Sequence, residues 1–381
     1  MKKFTEQDSD FMRQALALAA NGQGRVSPNP PVGCVLVKNN RVVGRGWHDR
    51  LGDLHAEAMA LRDAGGEARG ATAYVTLSPC TTHGRQPPCS DALIQAGVAE
   101  VIVAACDPNP KNCSGIEVLN QAGIPARFGL LHEEAEYVAR GFFKLVRTGL
   151  PYVTLKYAMT LDGKIAAASG DSRWVSGPES REMVQDMRSR HDAIMVGSGT
   201  ALADNPMLNV REPVLSRRGG PGRHRQPVRV VIDGRARLPL DSALLTNTVE
   251  PAGRVLVVTA DSADDERRVA LRNAGAYVAI FPDDGGHVDL RLLLEELGRM
   301  EIGMLLCEGG GGLAAALLKK GLVDEIAAFV APKIIGGSNA PGPVGGLGIG
   351  LMANALPLRV IETSRVGEDI FVRAVLTRQE S

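Results

Sequence analysis

The sequence predicts an α/β protein of two domains, each built from a sheet with helices packed against it. Three observations lead to this prediction. The chain has 381 residues, which is long for one compact unit and sufficient for two hydrophobic cores. Short apolar runs rich in β-branched residues alternate with helical segments in both halves. Residues 147–151 form a short connector that ends in proline, and this connector separates the halves.

The first half is predicted to hold one complete layered domain. An amphipathic N-terminal helix ends at Asn21-Gly22, and the proline-rich residues 27–31 form a rigid turn. Residues 32–37 and 42–46 then form a hairpin. The elements that follow are helix 55–64, strand 73–77, helix 89–96, strand 101–105, helix 115–122 and a last helix near 133–146.

The second half repeats this alternation with apolar strands that suit a buried sheet. The predicted strands are 152–157, 193–196, 228–232, 255–258, 277–281, 304–307 and 325–330. Ser176-Gly177-Pro178-Glu179 has the form of a capping box and predicts a helix to about Arg190. The glycine-rich residues 336–350 predict a mobile loop.

Composition narrows the class of protein. Lys plus Arg and Asp plus Glu number 43 each, so the net charge does not favour a nucleic-acid partner. Arg13 interrupts the N-terminal apolar stretch, unlike a secretory signal, and no run of 18 apolar residues follows. Six cysteines are too few for a disulfide scaffold. We therefore expect a soluble, cytoplasmic protein without a membrane partner, in which clustered cysteines indicate metal binding or catalysis.

Four residues of the first half form a pattern typical of zinc-dependent deaminases. His55, Cys80 and Cys89 supply three zinc ligands, and a catalytic zinc site keeps a fourth position open for water. Glu57 is suited to accept a proton from that water and return it to a leaving amine. The order His-x-Glu, Pro-Cys, Cys is that of deaminases of pyrimidine or purine rings. Eight residues separate the two cysteines, whereas the short form of the pattern has two.

Other interpretations of these residues remain open at this level. Each residue alone is better explained by chance or ordinary burial, whereas the ordered combination beside prolines favours a metal site. Cys34, Cys106 and Cys113 are interpreted as structural or incidental. One rival is a nucleic-acid or free-base deaminase with an unrelated C-terminal domain. Another is a non-catalytic zinc-stabilised binding module, with His83 as the nearest fourth ligand and no role for Glu57.

The motifs closely resemble the bifunctional riboflavin-biosynthesis deaminase/reductase family, in which the longer insert between the cysteines is normal. The resemblance covers essentially the whole chain. It rests on residues 27–35 (SPNPPVGCV), the His55-Ala56-Glu57 motif, residues 76–89 (TLSPCTTHGRQPPC), residues 161–164 (LDGK), residues 202–206 (LADNP) and residues 308–310 (EGG).

The resemblance implies two folds and two reactions. Residues 1–146 would form a cytidine-deaminase-like three-layer domain, and residues 151–381 a dihydrofolate-reductase-like domain. With Zn²⁺, the first would deaminate diaminohydroxyphosphoribosylaminopyrimidine, a phosphorylated pyrimidine. The second would use NADPH to reduce the ribosyl group of the aminouracil product to ribityl. We also expect a homo-oligomer, whose size the sequence does not specify.

The resemblance also assigns residues of the deaminase pocket. Asn29 would hydrogen-bond the ring, although it is equally well explained as a turn residue, and His48 would lie at the pocket edge. His83 and Arg85 would meet the substrate phosphate. The family usually continues from residues 107–110 (DPNP) into a Gly-basic-Gly turn, but this chain has a shorter turn without that base. Lys111 would therefore have to substitute in phosphate binding.

In the second half, the resemblance assigns a cofactor side and a substrate side. The cofactor side comprises Ala158, Trp174, Thr200, Asp204, Gly234, Gly310, Gly311, Gly312, Leu313, Ala314, Ala315 and Ala316. The substrate side comprises Ser172, Arg188, Leu208, Arg211 and Glu308. Lys156 and Asp204 are the candidates for polarising or protonating the reacting sugar carbon.

Two of these assignments have simpler alternatives. The glycines after Glu308 would let backbone N–H groups approach a phosphate at the start of a helix, but they also suit a flexible loop. Arg188 and Arg211 are either solvated charges or phosphate anchors, for which the guanidinium fork is well shaped. Gly234 offers only backbone where the family often has serine.

Overall fold

The computed structural model describes residues 3–82, 87–109, 112, 114–211, 214, 217, 225–246, 253–283, 285 and 287–377. It divides into two compact units, Met1–Gly149 and Leu150–Ser381. No helix in these described ranges is long and apolar enough to cross a membrane.

The first unit is a five-stranded sheet between two groups of helices. Its strands are β1 (Gly33–Lys38), β2 (Arg41–Trp47), β3 (Thr72–Leu77), β4 (Glu100–Ala105) and β5 (Ala126–Phe128). Its helices are α1 (Glu6–Ala19), α2 (Ala56–Ala64), α3 (Cys89–Ala96), α4 (Gly115–Gln121), α5 (His132–Val138) and α6 (Arg140–Thr148). The strand order is β2-β1-β3-β4-β5, in which β3, β4 and β5 run parallel and β1 is antiparallel to both neighbours.

Hydrophobic residues on the two faces of this sheet form separate cores. Phe11 and Met12 of α1 pack with Phe143 of α6 on one face. Ala60 of α2 and Leu93 of α3 pack on the other face. This arrangement confirms the three-layer α/β prediction for the first half.

The prediction of one helix near 133–146 was wrong, because the chain breaks at Ala139. Ala139 has φ −102° and ψ 19°, which ends α5 before α6 begins. The side-chain amide of Gln23 donates a hydrogen bond of 2.9 Å to the carbonyl of Val138. A partner 115 residues away thus satisfies a backbone group at the break, and helical periodicity alone cannot reveal such a partner.

The second unit contains a nine-stranded sheet in the order β10-β9-β8-β7-β11-β6-β12-β14-β13. The strands are β6 (Tyr152–Thr160), β7 (Ala193–Gly197), β8 (Val228–Ile232), β9 (Val255–Ala260), β10 (Tyr277–Phe281), β11 (Met304–Cys307), β12 (Glu325–Ala331), β13 (Leu358–Val366) and β14 (Asp369–Leu376). The helices are α7 (Pro178–Ser189), α8 (Ser198–Asp204), α9 (Ala243–Thr246), α10 (Asp265–Asn273), α11 (Leu290–Arg299) and α12 (Gly311–Lys319).

Seven strands of this sheet run parallel and correspond to the seven apolar runs predicted from the sequence. The antiparallel β13–β14 hairpin was not predicted. Leu358 and Val360 of the edge strand β13 are exposed, so this strand lacks the buried apolar run that identified the others. The glycine-rich segment predicted as a loop contains neither helix nor strand.

The predicted capping box at Ser176 was wrong, although proline does occupy the first turn of α7. Gly177 is the N-cap residue and makes no side-chain capping bond. The carboxylate of Asp369 instead accepts hydrogen bonds from the Gly177 N–H at 2.8 Å and from the Ser180 hydroxyl at 2.6 Å. A carboxylate from β14 therefore caps this helix, because it can approach the helix start where Ser176 does not.

The close packing of α2 on β2 gives a test of this fold. A Cβ atom on Gly46 would lie 2.2 Å from the Ala56 carbonyl oxygen and 2.4 Å from the Ala60 nitrogen. We expect Gly46→Ala to lower the free energy of unfolding by about 1–3 kcal/mol, measured by urea unfolding. Gly66→Ala is the control, since nothing lies within 4 Å of an added Cβ there. Equal stability of both variants would contradict the packing.

Candidate active sites

The three predicted zinc ligands lie together at one edge of the first unit. His55 is the N-cap residue of α2, Cys80 follows the end of β3, and Cys89 is the first residue of α3. The Nδ1 atom of His55 lies 3.3 Å from Cys89 Sγ and 3.7 Å from Cys80 Sγ. All three ligand atoms lie within 4.8 Å of one another.

These distances fit a tetrahedral zinc ion. Zn–N and Zn–S bonds of about 2.1 and 2.3 Å place tetrahedral N and S ligands about 3.6 Å apart, close to both observed values. In the described part of the chain, the cluster of possible metal ligands comprises these three residues. Three protein ligands leave one position for water, which is the pattern of a catalytic site.

Glu57 is buried next to this cluster without being one of its members. Its residue exposure is 3%, and it occupies the first turn of α2. Burial raises the pKa of Glu57, and the nearby Cys80 raises it further. The Glu57 backbone N–H, the nearby His55 and an interaction with Cys89 oppose this shift. A carboxyl group in this place can exchange a proton with a water in the open position.

The pKa values of the two cysteine thiols favour binding of a cation. A hydrogen bond with Cys89 lowers the pKa of Cys80 to about 4, against the effect of burial. That interaction and burial raise the pKa of Cys89. The Cys89 backbone N–H also donates to Cys80 Sγ at 3.4 Å. One thiolate is therefore favoured before a metal binds, as is common where N–H groups at a helix start face a sulfur.

His48 lies beside His55 of the metal cluster, and Asn29 contacts His48. The His48 ring centroid is 5.4 Å from that of His55. His48 Nε2 lies 3.4 Å from the Asn29 amide nitrogen, and Nδ1 lies 3.2 Å from the Leu54 carbonyl oxygen. These contacts assign the proton to Nδ1 in neutral His48, and burial lowers its pKa. The Asn29 N–H also donates to the Val26 carbonyl, so the residue takes part in a turn as well.

A buried hydrogen-bond network around Asp107 was not predicted from the sequence. Buried Asp107 accepts hydrogen bonds from the Asn109 N–H at 2.7 Å and the Asn112 side chain at 3.2 Å. Its own N–H donates to the Ser78 hydroxyl at 2.9 Å. Ser78 directly follows β3, and Asp107 is the second residue after β4. Polar residues just after parallel strands were the signal that could have identified them.

The residues predicted to contact the substrate phosphate do not belong to the described part of the chain. His83, Arg85 and Lys111 lie outside the described residues, as does Cys113. Cys34 is buried, where burial raises the pKa of its thiol, and Cys106 is half-buried at the end of β4.

The second unit contains a buried ion cluster made by three of its predicted site residues. Arg188 donates to both carboxylate oxygens of Glu308, at 2.6 and 3.0 Å. Lys156 Nζ lies 3.8 Å from Glu308 and faces the ring of Phe329. The side chains of Lys156, Arg188 and Glu308 are 17%, 12% and 9% exposed. Arg188 is thus paired inside the protein and is not a solvated charge.

The three charged groups of this cluster alter one another's pKa values. Burial acts to raise the pKa of Glu308, but the Arg188 guanidinium and Lys156 ammonium lower it to about 2. Burial lowers the pKa of Lys156, while Glu308 opposes that shift. The cluster therefore keeps Glu308 ionised and makes Lys156 a better proton donor than a solvated lysine.

The glycines after Glu308 serve different purposes. A Cβ on Gly309 would lie 2.8 Å from the Gly197 nitrogen, so this glycine permits close packing against the end of β7. The Gly310 N–H donates to the Thr200 hydroxyl at 2.8 Å. An added Cβ on Gly312 would meet nothing within 4 Å. This open space lies in the first turn of α12.

Other predicted residues occupy varied environments. The Ser172 hydroxyl donates to Asp204 at 3.4 Å. Exposed Trp174 has the Arg181 guanidinium 4.6 Å from its ring centroid. Leu208 is 2% exposed in the hydrophobic core, so a ligand would meet its backbone and not its side chain.

The remaining residues offer mainly backbone groups, small side chains or an exposed charge. Ala158 is half-buried in β6, and the Gly234 carbonyl accepts a bond from the Ala260 N–H. Arg211 is exposed, and its backbone N–H donates to Gln185. Ala314, Ala315 and Ala316 continue α12 beyond the open first turn.

Replacement of a ligand gives a direct test of the metal cluster. We expect Cys89→Ser to weaken zinc binding by more than about 100-fold, the upper range for changes outside the ligand set, measured as bound zinc per chain against a competing chelator. Cys106→Ser is the control, because its thiol lies outside the three-residue cluster. Equal zinc retention by both variants would contradict the assignment.

Glu308→Gln tests the buried ion cluster through the pH dependence of stability. Removal of the carboxylate leaves two buried cations, so we expect a loss of about 3–5 kcal/mol near neutral pH in urea unfolding. The pKa of Glu308 falls on folding from 4.5 to about 2. Its contribution is therefore complete above pH 4.5 and is lost as pH falls towards 2.

The difference between wild type and Glu308→Gln should consequently shrink as the pH falls from about 4.5 towards 2. Glu295→Gln removes a solvent-facing ion pair with Arg291 and should change stability by less than about 1 kcal/mol. A wild-type advantage that grows on acidification would show that the carboxylate is not stabilised as an anion.

Comparisons with known proteins agree with this arrangement. Residues 5–105 match the family described as the cytidine and deoxycytidylate deaminase zinc-binding region, and residues 151–372 match the RibD C-terminal domain. Riboflavin biosynthesis protein RibD of Actinobacillus pleuropneumoniae is 44% identical over 98% of this chain and 96% of its own length.

Two solved structures are similar over nearly their whole length. One is RibD of Acinetobacter baumannii, with a TM-score of 0.83, 37% identity and coverage of 98% of this chain and 99% of that chain. The other is a diaminohydroxyphosphoribosylaminopyrimidine deaminase/5-amino-6-(5-phosphoribosylamino)uracil reductase of Thermotoga maritima, with a TM-score of 0.83, 33% identity and coverage of 97% and 99%. An unrelated C-terminal domain is thereby excluded. The chain belongs to the RibD family of riboflavin-biosynthesis enzymes, with a zinc-site deaminase domain followed by a reductase domain that uses a nicotinamide cofactor.

Proposed function

We propose that the chain catalyses two consecutive reactions on a phosphorylated pyrimidine. Residues 1–146 would deaminate diaminohydroxyphosphoribosylaminopyrimidine, and residues 151–381 would reduce the ribosyl group of the resulting aminouracil with NADPH. The observation that carries the first reaction is the three-ligand cluster with buried Glu57 beside it. The similar Thermotoga maritima protein, whose name gives both activities, supports this pairing.

In the deaminase site, His55, Cys80 and Cys89 would hold zinc, which supplies the Lewis acidity that makes water nucleophilic at neutral pH. Glu57 would take a proton from water and deliver it to the departing amino group. The net change replaces the ring C–NH₂ by C=O, with water consumed and ammonia released. Asn29 would bind the ring, and neutral His48 would hold the Asn29 amide in place.

Phosphate recognition in this domain is assigned to His83 and Arg85, with Lys111 in place of the family's usual base. The polar network around Asp107 supports this proposal, because it orders Asn109 and Asn112, which flank residues 110–111 in the chain.

In the reductase site, NADPH would supply a hydride to the sugar carbon bonded to the exocyclic amino nitrogen. The bond from that carbon to the sugar ring oxygen would break, and the oxygen would take up a proton. The open first turn of α12 would bind its phosphates, with Thr200 fixing the preceding Gly310 N–H. Ala158, Trp174, Asp204 and the Gly234 backbone would line the cofactor side. This placement would leave the carboxyl edge of the parallel strands for the sugar.

Lys156 is our preferred proton donor for the ring-opening of the sugar, because burial lowers its pKa. Asp204 is exposed and is the alternative. Arg188 already satisfies Glu308 with two bonds and the Asn209 carbonyl with a third, so we assign it to orienting Glu308. The exposed Arg211 is then the better anchor for the substrate phosphate, beside Ser172 and the Leu208 backbone.

We also propose a homo-oligomer that acts in the cytoplasm. The edge strand β13 exposes Leu358 and Val360, and Leu347 and Met352 before it are also exposed. Exposed apolar side chains and an unpaired strand edge are features that partners cover. A cytoplasmic location suits the free cysteines and the supply of NADPH.

Glu57→Gln tests the proposed deaminase. We expect ammonia release from the diaminopyrimidine phosphate to fall by about 10²–10⁴-fold, because the proton carrier is lost, while bound zinc stays at the wild-type amount. Glu117→Gln is the control, since it changes an exposed first-turn carboxylate of α4. Undiminished ammonia release by Glu57→Gln would refute the mechanism, and absence of ammonia release by wild-type zinc protein would refute the function.

A further inference from the structure

A tight turn at the end of β6 holds a carboxylate with three hydrogen-bond donors. The Thr160 N–H donates to the Lys164 carbonyl, and the Gly163 N–H donates back to the Thr160 carbonyl. The Asp162 carboxylate accepts from the Thr160 hydroxyl at 2.6 Å, from the Gly336 N–H at 2.6 Å and from the Ile335 N–H at 3.3 Å. These donors, the Thr160 hydroxyl first, lower the pKa of Asp162 to about 2.

The same turn makes one further contact just before the glycine-rich segment and two with the segment itself. The Leu161 N–H donates to the Lys333 carbonyl at 2.9 Å. The Lys164 ammonium donates to the Ala340 carbonyl at 3.1 Å, and the next N–H, of Ile165, donates to residue 341 at 2.9 Å. The turn therefore hydrogen-bonds to the chain before and after residues 337–339, through side chains as well as backbone.

Beyond these contacts the segment lies against the first turn of α12. The Gly345 N–H donates to the Gly311 carbonyl at 2.9 Å. A Cβ added to Gly311 would lie 3.0 Å from the Gly342 oxygen and 3.1 Å from the Gly345 nitrogen. One added to Gly346 would lie 3.5 Å from the Ala315 Cβ. Backbone packs on backbone here, and side chains would separate the two segments.

The helix start under this segment still has open polar groups. The N–H groups of Gly311, Gly312 and Leu313 occupy the first turn and have no partner within the helix. The space next to Gly312 is empty, whereas Gly311 is covered by the segment. The segment therefore forms a wall beside the first turn of α12, where the proposed function places a phosphate.

We propose that Asp162 is a positioning residue for the nicotinamide cofactor. Its carboxylate, assisted by Lys164, fixes the glycine-rich segment against α12 and so shapes the wall beside Gly312. Asp162 itself touches the segment and not the phosphate. This inference rests on the proposed function, in which the first turn of α12 binds the phosphates of NADPH.

Asp162→Asn provides the main test. The amide nitrogen cannot accept from the Gly336 N–H, and the negative charge is lost. We expect the KM for NADPH and the Kd for NADP⁺ to rise about tenfold, as for loss of one hydrogen bond to a charged group. The kcat at saturating NADPH and the KM for the pyrimidine substrate should stay within about twofold, a split that a general loss of folding would not produce.

Asp289→Asn is the matched control. Asp289 caps α11 by accepting two backbone N–H bonds, at 2.7 and 3.3 Å, as Asp162 does for Ile335 and Gly336. It should lower stability to a similar extent and leave the KM for NADPH unchanged.

Lys164→Met is the second variant and keeps the test possible if Asp162→Asn does not fold. It removes one hydrogen bond to the segment, so we expect the KM for NADPH to rise two- to threefold.

Gly312→Ala separates failure of this inference from failure of the proposed cofactor site. The added methyl group enters open space, so it should leave folding intact and raise the KM for NADPH. If Gly312→Ala raises that KM but Asp162→Asn and Lys164→Met do not, the positioning role is overturned. If Gly312→Ala has no effect, the phosphate site on α12 is wrong and the inference falls with it.

Discussion

Parallel pairing of neighbouring strands is the constraint on which both sites depend. Because β3 and β4 run parallel, the segments after them, which carry Cys80 and Asp107, emerge at the same edge of the sheet. In the second unit, β7, β11 and β6 are parallel neighbours, so Thr200, Glu308 and the Asp162 turn also share one edge. Residues more than a hundred positions apart thus meet without a long connecting loop.

Close backbone packing turns this common edge into defined sites. Gly46 lets α2 approach β2, which fixes the helix whose first turn carries Glu57 and whose N-cap is His55. Gly309 does the same where the end of β11 meets β7. The charges in the second unit's site depend on one another. Glu308 is stable as a buried anion because two cations face it, and each cation in turn depends on that carboxylate.

Local patterns were sufficient to predict most of the first unit and the metal cluster, since His55, Cys80 and Cys89 each stand at an element boundary. Long-range partners were not predictable. The Asp369 cap of α7, the Gln23 bond to the Val138 carbonyl and the Arg188–Glu308 pair join residues 115 to 192 positions apart. The β13–β14 hairpin was missed because its edge strand is largely exposed, so hydrophobic periodicity carries little information there.

The order of the two reactions in one mixture tests the central claim most directly. Purified zinc protein would be mixed with diaminohydroxyphosphoribosylaminopyrimidine and NADPH, with ammonia and the nicotinamide absorbance followed together. The account predicts immediate ammonia release and a lag before NADPH oxidation, which disappears when the aminouracil phosphate is supplied instead. NADPH oxidation that precedes ammonia release would contradict it.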